Sequence, residues 1–418
     1  MYFMLRQPNS TSSLSLWKVD VFFMKATKIF LILALVCVGC TVLCGAVSAE
    51  EMRTFVDDVG REVVLPVEID AVSPSGPLAQ TVLYSLDPDL FVSVSATPSA
   101  MEQKYLDPRL MTLPETGQFY GSKASTMNPE SIMELNKQLH IDVVLDIGEA
   151  KGTMKEDLND ISGKTGVSFA FITQNKLSDI PGSYLKLGEL LDRKEQGGRL
   201  SAYASSLLAE FDAGMKTVGE NKKSLIYVSS IDGNAVSLVG NGSYHANVID
   251  YVGNNVGGHA VSSSGTGDGY TMEDILQMNP DFIIVSFTTD HAYYNKILND
   301  PLWQSLSAVR NGNVYEAPCG PYSWMGPSSP LKLLMLMWLG NLMYPEVFSY
   351  DIHDRVKEFY PLFFHYDLTD AELDELMVYA VPNSSPAPAA TQASVPIAGI
   401  CAGAAVALTG VGCRRFQS

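Results

Sequence analysis

The sequence predicts an α/β protein built as two similar lobes with mostly parallel sheets, joined by one long, stiff helix. Three observations carry this. Short apolar runs alternate with amphipathic segments over residues 66–147 and again over 224–285. That alternation is the grammar of a parallel sheet covered by helices on both faces. One pattern occurs twice: Glu130-x-Ile132-x-x-Leu135 leading to Asp142-Val143-Val144-Leu145, and Glu273-x-Ile275-x-x-Met278 leading to Asp281-Phe282-Ile283-Ile284. Between the copies, Leu200, Tyr203, Leu207, Leu208, Phe211 and Met215 share one face of a helix of about 23 residues, roughly 35 Å long.

The ends of the chain read as addresses and not as fold. The 418 residues carry a formal charge of −18, with 46% hydrophobic and 18% charged residues. This composition excludes wholesale disorder and gives no basic footprint for nucleic acid. Yet residues 1–49 hold four bases (Arg6, Lys18, Lys25, Lys28) against one acid (Asp20), and 382–418 hold Arg414 and Arg415 with no acid. Met24-Lys25-Ala26-Thr27-Lys28, the apolar run Ile29 to Val47 and the ending Val47-Ser48-Ala49 make 1–49 a secretory signal region. Its expected start is Met24 and its expected cleavage follows Ala49. Val38-Gly39-Cys40 partly matches a lipid-attachment motif, with Cys37 where leucine is usual. Residues 382–394 are a Pro/Ala/Ser stalk that cannot bury a core. Residues 395–418 are a membrane anchor or a sorting segment. Val395 to Cys413 is 19 uncharged residues, just long enough to span a bilayer. Arg414 and Arg415 behind it place the acidic body outside the cell.

The elements of the body follow in order. Residues 66–74 are a short strand, Pro77 to Leu86 a helix, and Leu90 to Val94 a second strand. Glu130 to Leu139 is a helix leading into the buried strand Ile141 to Ile147. Residues 180–218 are helical. Ser224 to Ser229 is a strand and Ala246 to Tyr251 helical. A Gly/Asn/Ser-rich loop runs from Gly253 to Gly269. Thr271 to Val285 repeats the helix–strand unit. Only Cys319 of the six cysteines lies in this body, which excludes an internal disulfide there.

Arg53-Thr54-Phe55-Val56-Asp57-Asp58-Val59-Gly60-Arg61-Glu62-Val63-Val64-Leu65-Pro66 resembles the two-strand start of extracytoplasmic substrate-binding proteins. These proteins serve ABC importers of ferric siderophores, haem and cobalamin. Trp303-Gln304-Ser305-Leu306-Ser307-Ala308-Val309-Arg310-Asn311-Gly312-Asn313-Val314-Tyr315, with Trp324 beyond it, resembles their most recognisable C-lobe segment. The resemblance covers nearly the whole body, and the doubled Glu…Asp units are similar to the paired motifs of the family's two lobes. It implies Rossmann-like lobes at 50–178 and 219–381 and a rigid helical connection at 179–218. The ligand would sit in a cleft between the lobes. It implies a monomer that captures a ferric siderophore or related iron(III) chelate and delivers it to an ABC permease and its ATPase. Cobalamin, another corrinoid or haem is the second choice of ligand. The long Gly253–Gly269 loop and the C-terminal stalk depart from the family pattern.

Ligand-binding candidates come from the loops expected at that cleft: Tyr120, Tyr244, His245, His291, Tyr293, Tyr322 and Trp324. Aromatic faces suit a large or chelated ligand, and phenol hydroxyls add directed hydrogen bonds. His245 or His291 could complete the coordination of ferric iron. The scattered histidines argue against a bare divalent-metal site. Tyr293 and Tyr294, read as extended chain, point to opposite sides. Glu130 and Glu273 each begin one repeat helix, and in the resembled family one glutamate per lobe docks on basic residues of the permease. Asn241-Gly242-Ser243 and Asn383-Ser384-Ser385 fit the glycosylation pattern. The sequence shows no Gly-x-Ser-x-Gly, His-Glu-x-x-His or phosphate-loop motif, so no enzyme class is indicated, and no permanent cofactor is expected.

Overall fold

In the computed structural model the described residues are 51–119, 125–258, 266–326 and 328–382. The expected signal region, the Asn383 acceptor, the C-terminal segment and Tyr120 lie outside them.

Strands β1 (Met52–Val56) and β2 (Glu62–Pro66) pair antiparallel, with Met52 opposite Pro66 and Val56 opposite Glu62. Asp57 closes their turn. Its Oδ1 accepts from the Arg61 amide at 2.9 Å, and its Oδ2 takes Arg61 Nη1 at 3.1 Å. The same guanidinium donates to the Phe169 carbonyl at 2.8 Å and to Asn159 Oδ1 at 2.7 Å. A buried ion pair is tolerable only when its remaining donors are filled. Here they are filled by the lobe that the hairpin sits on.

The N-terminal lobe carries β3 (Val72–Pro74), α1 (Pro77–Leu86), α2 (Pro129–Leu139), β4 (Val143–Gly148), α3 (Met154–Thr165) and β5 (Phe169–Thr173). Its sheet is parallel in the order β3-β4-β5. Beyond β3 it continues only as single parallel bridges, Val72 to Phe91 and Val94 to Glu115. The expected strand at 90–94 is therefore reduced to two contacts.

Two helices lead out of this lobe, α4 (Ile180–Leu190) and α5 (Lys194–Val218, 25 residues). Their backbones touch at two glycines. A Cβ on Gly197 would stand 2.7 Å from the Tyr184 carbonyl and 2.9 Å from Gly188 Cα, so no larger residue fits. Helix α5 buries Leu200, Leu207, Phe211 and Met215, the stripe the periodicity predicts.

The C-terminal lobe contains β6 (Ser224–Asp232), β7 (Ala235–Val239), α6 (Asn247–Val252), β8 (Asn254–Asn255) and β9 (Thr266–Tyr270). It continues with α7 (Met272–Met278), β10 (Phe282–Val285), α8 (Ala292–Asn299), α9 (Ser307–Arg310) and β11 (Val314–Glu316). Its sheet runs β11-β10-β6-β7-β9, with β8 beside the start of β6. The β6–β10 and β10–β11 pairs are parallel, but β6–β7 and β7–β9 are antiparallel. The expectation of mostly parallel sheets thus holds for one lobe and gives way to a mixed sheet in the other. The cause is local. Asp232 pairs with Ala235 across Gly233-Asn234, a two-residue turn with Gly233 at φ 58, which reverses the chain at once. The segment expected as loop up to Gly269 likewise ends in the edge strand β9.

The doubled sequence pattern has a structural cause. Asp142 Oδ2 accepts the amides of Asp70 and Ala71, both at 2.9 Å, where the chain enters β3. Asp281 Oδ2 accepts the Ser224 amide and hydroxyl, both at 2.8 Å, where it enters β6. Each aspartate precedes the second strand of its unit and ties down the start of the first. Asp142→Ala strands two amides at a nearly buried position, so a loss of about 1–3 kcal/mol in unfolding free energy is expected, read as a lower urea midpoint at unchanged slope. Asp281→Ala, at an exposed position, is expected to cost less.

Three C-terminal helices, α10 (Ser329–Met343), α11 (Ile352–Phe364) and α12 (Asp370–Met377), complete the described chain. Helix α10 packs on α1, α5, α6 and α11. One apolar core therefore runs from one lobe into the other. Alternation along the strands assigns their two faces. Val143 and Leu145 of β4 and Phe282 and Ile284 of β10 enter the shared core. Val144 and Ile283 enter separate clusters on the outer faces.

Candidate functional site

Parallel α/β sheets bind ligands beyond the C-terminal ends of their strands. In the N-terminal lobe those ends lead into Ser75, Glu149 and Gln174, and in the C-terminal lobe into Ser286 and Ala317. Beyond β7, the Asn241–His245 segment leads into α6. Two surface depressions, of 580 and 530 Å³, lie elsewhere. They are lined by residues such as Lys222, Asn241 and Asn254, and Lys223, Asp281 and Asn313. The second sits at the N-terminal ends of β6, β10 and β11, and the first lies beside the starts of β6 and β8 and the residues just past β7, short of Tyr244 and His245.

The most developed convergence joins Tyr244, His245 and a residue the sequence reading missed, Lys332. The Tyr244 hydroxyl donates to the Gln174 carbonyl at 3.2 Å, bridging the lobes. The Lys332 ammonium lies 4.1 Å from the centre of the Tyr244 ring and donates to the Asn175 carbonyl at 3.3 Å. Lys332 is only 2% exposed, and burial pushes its ammonium down to about 8, while Asp179 and Glu149 oppose that shift. His245 sits edge-on to Tyr244, and burial and then Lys332 lower its pKa. A signal for Lys332 was present in the sequence. It is the one charged residue in the otherwise uncharged run Ser328 to Tyr344.

His291 belongs to a second group. It is the residue before α8, with φ 53, and its Nδ1 lies 2.5 Å from Oε2 of Glu316. Glu316 is 3% exposed, and burial raises its pKa against the pull of His291. Tyr379 packs on the His291 ring at 4.6 Å and on Tyr294 at 4.7 Å. A carboxylate fixed on one imidazole nitrogen orients the ring and leaves the other nitrogen as the available one. Tyr293 and Tyr294 lie in α8 and not in extended chain. Both are half-buried and pack against the outer cluster of the C-terminal lobe. The opposite-sides argument therefore does not apply to them.

The remaining candidates divide. Tyr322 is half-buried beside Gln80 and Thr81 of α1, without a hydrogen bond of good geometry, and burial raises its phenol. Trp324 has no exposure at all and meets Trp338 edge-on at 6.4 Å. A ligand cannot touch it in this arrangement, so its place as a contact residue is corrected. The spacing that marks it reflects packing. No group of three or more metal-ligating side chains occurs among the described residues, and His245 and His291 fall in separate groups.

Glu130 and Glu273 occupy matching places. Each is the second residue of its helix, α2 or α7, and each is exposed. Capping is done by others. Asn128 accepts from the Glu130 amide at 2.8 Å, and Thr271 forms a capping box with Asp274. Neither glutamate side chain has a partner among the described residues, so neither is needed to hold its helix end.

Comparison with known proteins gives a consistent picture. The family described as periplasmic binding protein matches residues 147–319. The Fe(3+)-citrate-binding protein YfmC of Bacillus subtilis is 20% identical over 294 residues, covering 70% of this chain and 90% of that protein. The molybdate-binding protein MolA of Haemophilus influenzae is 25% identical over 184 residues, covering 43% of this chain. The match spans about half of that relative, 49% of its length. Among solved structures, an ABC transporter solute binding protein of Sulfurospirillum deleyianum superposes with a TM-score of 0.69 at 23% identity. It covers 78% of this chain and 98% of its own. A periplasmic solute binding protein of Veillonella parvula gives a TM-score of 0.63 at 25% identity, covering 79% and 98%.

Proposed function

Because the chain belongs to the periplasmic binding protein family, the extracytoplasmic substrate-binding components of ABC importers, we propose that it captures a metal chelate between its lobes and delivers it to a permease. The family is a transport component and not an enzyme. The ligand is first a ferric siderophore or related iron(III) chelate, and second cobalamin, another corrinoid or haem. The names of the Fe(3+)-citrate-binding and molybdate-binding relatives support a small metal-containing ligand. The observation that carries the reading is the meeting of half-buried polar and aromatic groups from both lobes where strands end, with Tyr244 reaching Gln174.

In this reading Tyr120, Tyr244, His245, His291 and Tyr322 contact the ligand, and Tyr293 joins them from the first turn of α8. The lobes are 50–178 and 219–381, held by 179–218. Glu130 and Glu273 dock on the permease. Residues 395–418 tether the protein at the outer face of the membrane. No helix among the described residues is long and apolar enough to cross a membrane.

Calorimetric and thermal-shift titration of the purified protein tests this. The panel is ferric citrate, a ferric hydroxamate, a ferric catecholate, molybdate, haem and cobalamin. Saturable binding of one class is expected, and at a hundredfold excess over Kd it should add about 2.7 kcal/mol of stability. A folded protein that binds no member of the panel overturns the reading.

A further inference from the structure

We propose that the cargo is anionic, a metal held as an oxyanion or in a carboxylate complex, and that the Lys332 ammonium reads its charge. This rests on the binding-protein reading above and narrows its substrate class.

Helix α10 is apolar and buried along nearly its whole length, and Lys332 is its single charge. A charge in such a place is costly unless it is paired. An ammonium has three donors. Here one carbonyl, that of Asn175, and one ring face, that of Tyr244, are its contacts, and no carboxylate pairs with it among the described residues. Asp179 and Glu149 act on it only from a distance.

The place is as telling as the missing partner. Asn175 follows the end of β5 in one lobe, and Tyr244 belongs to the loop before α6 in the other. The cation therefore sits at the junction of the lobes, with the half-exposed Tyr244 and His245 beside it. Two polar atoms close by in the chain also lack partners among the described residues. They are Gln174 Oε1, next to Asn175, and the hydroxyl of Ser328, one turn before Lys332, both on residues at most 2% exposed. A positive charge walled by low-dielectric material projects its field toward the half-exposed Tyr244 and His245, because little water is present to screen it. An anion entering between the lobes supplies the missing counter-charge. A neutral chelate leaves the ammonium unpaired.

The test uses the purified full chain, Lys332→Gln, Lys332→Met and Lys332→Arg, with ferric citrate and molybdate as anionic probes. Ferrichrome and cyanocobalamin serve as uncharged ones. Glutamine can still donate to the Asn175 carbonyl without carrying charge, and methionine suits the apolar helix. The expected result is binding of an anionic probe that weakens at least tenfold in K332Q and K332M and is largely kept in K332R, with melting temperatures no lower than that of the parent. Unchanged affinity for the anion in the two uncharged variants overturns the inference and leaves the binding-protein reading intact. A parent protein that binds only an uncharged probe does the same. A folded parent that binds none of the four overturns the inference together with the cargo assignment. If K332M does not fold, K332Q decides by the same comparison.

Discussion

Replacing Glu130 and Glu273 together by alanine is expected to leave ligand affinity unchanged and to abolish uptake. The two glutamates occupy equivalent places in the two halves of a repeated design, second in α2 and second in α7. The Glu130 amide is taken by Asn128, and the start of α7 is capped by the Thr271–Asp274 box, so removing the carboxylates should not cost folding beyond a few tenths of a kcal/mol of dipole interaction. What is lost is a pair of exposed charges whose separation is set by a continuous core and by α5. Two fixed points let a partner read lobe spacing and orientation at once, and a complementary charge on that partner raises the rate of productive encounter. Each single variant is expected to slow uptake, and the double variant to stop it. Transport of labelled ligand into intact cells, beside ligand binding to the purified proteins, checks this. Undiminished transport by the double variant removes these residues from the permease contact.

The repeat that exposed those glutamates was legible because both copies obey the same local rules. An acid near the helix start, an apolar stripe, an aspartate and an apolar run of three or four residues can all be read along the chain. The reason for the aspartate could not, since Asp70 and Ser224 are distant in sequence from Asp142 and Asp281. The antiparallel half of the second sheet was half-legible. Asp232-Gly233-Asn234 carries a hairpin signal, but the paired strand Ala235 to Val239 is only five residues long. The site was the least legible part. Tyr244 and His245 were found as loop residues, whereas Lys332 stood out only as the single charge of an otherwise uncharged run. Its position depends on how α10 packs between the lobes, which no local pattern specifies.

Trp324 shows the opposite failure, and the variant that exposes it has a large effect. Trp324→Ala is expected to lower folding stability by about 3–5 kcal/mol, as deletion of a fully buried indole does when its surroundings cannot collapse into the space. The surroundings here are constrained. Trp338 lies edge-on to it, and Met325 and Leu331 close to it in sequence are also core residues. Trp338 is itself held by a 2.7 Å bond from its Nε1 to the Ala380 carbonyl. Ligand affinity of the fraction that remains folded is expected to stay within about twofold of the parent, because the ring offers no surface to the gap between the lobes. Chemical denaturation and titration on the same preparation separate the two effects. A variant with parental stability and lost affinity would return Trp324 to the ligand contacts. The aromatic richness of the 319–325 segment would then mean recognition, where its burial now points to a wedge of core beneath the junction.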